Sequence, residues 1–149
     1  MKRTLLVGSA VILGALALAV GLVIVSYLQA PKVREIYLPS FSKVYSAVAL
    51  PGGELALGGV KLLKNNTYPT GVVALYNLSN GDCAVLSNVS HYFKGGYVYA
   101  IGFNGTGLLI GGDERINGTL YTSLVYYNLA THEVVNLSKA FSPFYSIGQ

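Results

Sequence analysis

Catalysis needs side chains that ionise, attack or ligate, and this chain carries few of them. Its acids are Glu35, Glu54, Asp82, Asp113, Glu114 and Glu133, its histidines His91 and His132, and its one cysteine Cys83. Asp113 and Glu114 are adjacent, and adjacent strand residues point to opposite faces. That is a poor start for a two-carboxylate mechanism, so the pair reads as a structural turn. The two histidines lie about 40 residues apart with no acid cluster beside either, so no metal site is expected. A lone cysteine excludes an intramolecular disulfide and a thiolate metal cluster. No nucleophile elbow, phosphate loop or dinucleotide fingerprint occurs. The expectation is a protein that is not an enzyme, with no catalytic residue, no cofactor and no metal.

Modification chemistry is a different matter. Nine asparagines are present, and six of them open an Asn-x-Ser/Thr triplet without proline: Asn65, Asn77, Asn88, Asn104, Asn117 and Asn136. With 19 Ser and Thr in 149 residues, chance supplies about one such triplet. These asparagines are the glycosylation candidates. Asn-Gly-Thr and Asn-Leu-Ser are also turn sequences, because Asn tolerates left-handed backbone and Ser or Thr bonds its own main chain. The two readings agree, since a glycan acceptor needs an exposed turn.

Twelve tyrosines and five phenylalanines supply contact chemistry, because a tyrosine-rich sheet suits a carbohydrate or a protein partner. For Tyr97, Tyr99, Tyr121, Tyr126 and Tyr127 the plain expectation is cross-strand packing, with one of the neighbours Tyr126 and Tyr127 exposed.

The elements that carry these residues begin with a membrane segment. Residues 5–28 read LLVGSAVILGALALAVGLVIVSYL, 24 residues without a charge. As a helix they span roughly 36 Å at 1.5 Å per residue, enough to cross a hydrocarbon core of about 30 Å. A signal peptide is the rival reading, but its apolar core runs to only about 7–15 residues. Tyr27 then reads as an interfacial anchor. Lys2 and Arg3 on one side and Lys32 and Arg34 on the other leave the positive-inside count near a tie. The sequons break it, with the N-terminus cytoplasmic and the rest outside the cell. The net charge of +4 comes from 10 basic and 6 acidic residues, scattered along the chain. No basic stripe for nucleic acid is present.

Residues 31–43 read as a linker, with Pro31 closing the helix, and residues 44–149 as the outer domain. Within it the chain repeats. Val44-Tyr45 is answered by Val98-Tyr99, Leu57-Gly58-Gly59 by Ile110-Gly111-Gly112, and Ala74-Leu75-Tyr76-Asn77-Leu78 by Val125-Tyr126-Tyr127-Asn128-Leu129. Leu86-Ser87 matches Leu137-Ser138, and Phe93 matches Phe144. The units run over about 44–93 and 97–144, and Tyr145-Ser146-Ile147-Gly148 matches Tyr99-Ala100-Ile101-Gly102 as the start of a third.

Each unit reads as four antiparallel strands: 44–50, 54–62, 71–78 and 83–86, then 97–103, 107–111, 121–129 and 133–137. Pro51-Gly52-Gly53, Asn80-Gly81-Asp82, Asn104-Gly105-Thr106 and Asn117-Gly118 mark the reversals. No helix is expected after Pro31. Gly58, Gly59, Gly111 and Gly112 are the structural glycines of the repeat, needed where strands crowd and a Cβ would clash.

A period near 50 with four strands and a diglycine ending the second strand resembles the propeller blades of kelch-like and galactose-oxidase-like repeats in archaeal surface proteins. The resemblance covers about residues 44–149. The late tryptophan of the kelch pattern is absent, since the chain has none. The resemblance implies two four-stranded antiparallel blades, so the fold expected of the whole chain is mostly β, with the N-terminal transmembrane helix followed by these blades. Two blades and a stub do not close a ring, which leaves an incomplete propeller, a small sandwich or a homo-oligomer. Copper oxidase chemistry does not carry over, because the histidines are not arranged as ligands. The expected function is a single-pass membrane protein with a binding, adhesion or surface-structural ectodomain. A pilin-like filament subunit and a secreted fragment of a propeller enzyme are the rivals.

Overall fold

The structure, a computed structural model, describes residues 33–65, 68–138 and 146–147. The apolar run 5–28, the start of the linker, the second half of the Asn65 sequon, and Phe144 and Tyr145 lie outside these residues. Among the described residues no helix is long and apolar enough to cross a membrane.

Leu38 begins a compact β-unit. Its first sheet has the order β1 (Lys43–Leu50), β2 (Glu54–Lys61), β3 (Thr70–Asn77) and β4 (Cys83–Val85). Its second has β5 (Val98–Phe103), β6 (Gly107–Ile116), β7 (Thr119–Asn128) and β8 (Val134–Asn136). Every pairing is antiparallel. The protein is mostly β, two four-stranded meanders in sequence order, as the alternating pattern and turn residues require. The tight turns fall on the expected glycines. Gly52 and Gly53 have φ of 82° and 77°, and Asn117 and Gly118 have 51° and 82° in a two-residue hairpin closed by Ile116 and Thr119.

Four details differ from the sequence-based expectation. β6 continues through Asp113 and Glu114 to Ile116, so the acid pair lies in a strand rather than a turn. A single helical turn, α1 (Ser87–Ser90), runs into a 3-10 turn at His91–Phe93. One turn is too short to show a helical stripe, which is why none is visible in the sequence. Ser146–Ile147 form β9, which pairs with Leu120 and Tyr121 of β7. The described part of the supposed third unit thus extends the second sheet. The linker also divides, because Leu38 and Phe41 pack under the first sheet, and Pro39 O accepts from Lys61 Nζ at 2.7 Å.

The repeat is built at atomic level. Val44 pairs with Gly59 and Ser46 with Gly58, leaving Tyr45 as the extra residue of a bulge. Val98 pairs with Gly112 and Ala100 with Gly111, leaving Tyr99. An added Cβ at Gly59 would strike Lys43 O, and one at Gly112 would strike Tyr97 O. The second glycine of each pair therefore lets the bulged strand cross closely. Asn77 Oδ1 accepts from the Ser79 and Asn80 amides, and Asn128 Oδ1 from those of Ala130 and Thr131. Ser90 Oγ accepts from Val73 N at 3.0 Å, as Ser138 Oγ does from Leu124 N at 2.7 Å.

The main core lies between unlike faces of the two sheets. Ala56, Gly58 and Val73 of the first sheet face the second, where Leu108, Ile110, Val125 and Tyr127 are buried. The contact runs chiefly through β5 against β1 and β2. Farther out, Val89 and Phe93 of the connector fill the gap between the sheets, both fully buried. Burying side chains of this size is worth about 1.5–3 kcal/mol each. The opposite face of the first sheet, Leu57, Val72, Ala74 and Tyr76, is closed by Phe41 and Leu38.

Candidate functional site

The sequon asparagines sit on turns and strand ends rather than in the core. Asn65, Asn88, Asn104 and Asn117 are exposed, whereas Asn77 and Asn136 are half-buried. Asn104 Oδ1 accepts from the amides of Thr106 and Gly107 at 3.0 and 2.9 Å, and Asn136 Oδ1 from Ser138 N at 3.0 Å. At Asn77, Asn104 and Asn136 the carbonyl oxygen builds the turn, so the amide nitrogen is the atom left for a sugar. Asn128 makes the same turn as Asn77 without a sequon, which shows that the turn itself selects asparagine. Gly58, Gly59, Gly111 and Gly112 lie at matching register positions of β2 and β6.

The bulges bring together an aromatic patch whose members are up to 54 residues apart in the chain. Tyr97 and Tyr99 stack at 5.5 Å between ring centroids, and Tyr45 lies 5.6 Å from Tyr99 and 6.2 Å from Tyr97. Tyr45 is 45% and Tyr99 50% exposed. A strand without a bulge would have turned these residues by one pleat; the extra residue aims them outward. Burial, and then the negative charge of Asp113, push the Tyr99 phenol up, so it stays a neutral hydrogen-bonding ring. Asp113 is itself buried, and Tyr97 N donates to its Oδ1 at 2.6 Å. Burial raises the Asp113 carboxyl, opposed by that amide and by Arg115. Glu114 is raised by burial and eased by His91.

A groove of about 640 Å³ opens beside the same β6 strand, lined among others by Tyr68, Thr70, Lys94, Glu114, Arg115 and Asn117. Arg115 lies 4.1 Å over the Tyr68 ring, and its Nη1 donates to Gly118 O at 2.9 Å. The guanidinium is thus held over the Tyr68 ring at the groove wall. Stacking, hydrogen bonding and charge are available there.

Tyr127 and Tyr126 point to opposite faces, with Tyr127 buried and Tyr126 half-buried, so neither is exposed, contrary to the sequence-based expectation for one of them. Tyr127 Oη shares a 2.7 Å hydrogen bond with His132 Nδ1, and burial raises the phenol, the reverse of an activated nucleophile. Among the described residues no three His, Cys, Asp or Glu side chains gather where a metal could bind. Sequence reasoning missed the Tyr45–Tyr97–Tyr99 patch and the groove. The signal for the patch was the match of Val44-Tyr45 to Val98-Tyr99; Tyr97 and Arg115 have no repeat partner to flag them.

No protein-family model, no curated protein and no solved structure matches the chain.

Proposed function

We propose that this chain is a single-pass membrane protein whose β-domain, two kelch-like blades, is a glycosylated extracellular module for binding, adhesion or surface structure. It works without catalysis. The N-terminus is cytoplasmic and residues 5–28 cross the bilayer. The observation that carries the reading is the joining of a 24-residue uncharged run to a domain with six sequons. All six asparagines lie at the surface or half-buried in the domain. Sugar then supplies the wetted surface that a chain with only 11% charged residues lacks. The half-exposed tyrosines Tyr45 and Tyr99 favour a carbohydrate or protein partner, because tyrosine buries large contact area at low entropic cost.

The test is expression of the full chain in cells that perform N-glycosylation. The expected result is an intact Met1 in the membrane fraction, mass shifts on sequon peptides, and a β-domain cleaved by protease added outside. A soluble chain beginning after Ala30, or six unmodified sequons on a domain protected from outside protease, overturns the reading. A processed N-terminus recovered from sheared filaments favours the pilin-like alternative.

A further inference from the structure

The two units carry the same docking surfaces, but only one set is occupied. At Gly58 an added Cβ would lie 2.6 Å from Val98 Cγ1 and 2.8 Å from Ile101 Cδ1, so the first strand of the second unit roofs this glycine. Gly111 holds the same register position in the second unit, and an added Cβ there meets only Leu124 Cδ1, at 3.8 Å. The residues around it are correspondingly open. Ala56 is fully buried, whereas its counterpart Leu109 is 46% exposed, and Val73 is fully buried, whereas its counterpart Leu124 is only half-buried. The inserting strand is duplicated as well. Val98 is fully buried against the first sheet, while its counterpart Val44 is 41% exposed and Ala47, counterpart of Ile101, is exposed. One chain therefore presents an unfilled socket on its second unit and an uninserted strand on its first.

We propose that the open face around Gly111 is a docking site for β1 of a second copy of this chain, giving head-to-tail association. The occupant follows from the contact already made inside the chain, where β5 enters the Gly58 socket. Phe41 and Leu38, which close the far face of the first sheet, do not block it. They pack on Leu57, Val72, Ala74 and Tyr76, whereas β1 itself is exposed along most of its length. Two differences weaken the copy. Ala47 is smaller than Ile101, and Ala100 replaces Ser46, whose Oγ accepts from Ile101 N at 3.1 Å inside the chain. The association is accordingly weaker than the internal contact and depends on concentration. A head-to-tail contact of this kind closes into a ring or runs on as a filament. The proposal is independent of membrane topology, so its failure leaves the preceding reading standing.

Cysteine pairing in the detergent-solubilised full chain tests it. On a Cys83→Ser background, chains carrying Gly111→Cys are mixed with chains carrying Val44→Cys under mild oxidation. The expected result is a covalent dimer of unlike chains, several-fold above the background set by mixing Gly111→Cys with Thr131→Cys. Gly111→Cys chains oxidised alone stay at that background. A mixture that does not exceed background, or efficient dimerisation of Gly111→Cys alone through like faces, overturns the proposal. Sedimentation of the unmodified chain and of Gly111→Leu is the second measurement. The Cβ that Gly111→Leu adds meets only Leu124 Cδ1, at an ordinary 3.8 Å, so this variant is expected to melt with the parent and to shift the oligomer toward monomer. Equal sedimentation of the two chains also overturns the proposal.

Discussion

Gly58 and Gly111 occupy one register position in two units built alike, yet they face different surroundings. Val98 and Ile101 close over the first, while an added Cβ on the second would meet only Leu124 of its own sheet, at an ordinary 3.8 Å. Gly59 and Gly112, by contrast, each face the backbone of their own sheet, Lys43 O and Tyr97 O. The comparison separates two reasons for a conserved-looking diglycine within one chain. The second glycine serves the bulge and is required by the unit itself. The first serves the neighbouring sheet and is required only where a neighbour is present.

The largest expected break in the symmetry comes from the connector. Phe93 is fully buried between the sheets, and Phe93→Ala should cost about 3–5 kcal/mol in denaturant unfolding. Phe41, which packs under the first sheet, is 9% exposed, and Phe41→Ala should cost less. Next comes the glycine pair. Gly58→Val drives a side chain into Val98 and Ile101 and should cost about 1–3 kcal/mol, seen as a fall in melting temperature of several degrees. Gly111→Val should stay within about 0.5 kcal/mol, and an equal loss at both sites would remove the distinction between them. The hydroxyl clips come third. Ser90→Ala and Ser138→Ala each strip an acceptor from a strand amide, at about 1 kcal/mol. Ser90→Ala should cost more, because its partner Val73 is fully buried and Leu124 is not.

The smallest effect is electrostatic. Asp113 stands where the first unit has Val60, and burial raises its carboxyl, as it does that of Glu114. An acid whose folded pKa lies above its unfolded value binds its proton more tightly when folded. Stability is therefore penalised above the raised pKa and recovers as pH falls through the window between the raised and ordinary carboxyl values. Thermal melts from neutral toward mildly acidic pH should show that recovery, and Asp113→Asn should flatten it while keeping an oxygen for Tyr97 N. An unchanged profile in Asp113→Asn would assign the recovery to Glu114.

Much of the strand framework was legible because its causes are local. Pro51-Gly52-Gly53 and Asn117-Gly118 dictate reversals, and alternation between them dictates strands to within a residue or two. The exceptions have local reasons too. β6 outran its diglycine because Gly112 tolerates a strand when a bulge faces it, and α1 escaped notice because one helical turn has no period. The candidate site was less legible. Ser87 aligns with Ser138 in the chain, yet Ser90 makes the equivalent bond to Val73, since α1 carries it there. Tyr45 meets Tyr97 and Tyr99 only across two sheets, from β1 to the start of β5, with Tyr45 and Tyr99 each the extra residue of a bulge.

The sequence by itself determined the division into an apolar run and a β-domain, the repeat, the turns and the surface asparagines. These depend on hydrophobicity, on φ preferences and on side chains bonding their own backbone, all of which act within a few residues. Only the tertiary structure decided which faces the sheets share, which glycine guards which contact, and that one socket is filled and its twin open. Those outcomes depend on what stands opposite a residue across roughly 50 positions of chain, and close packing, not local preference, sets that.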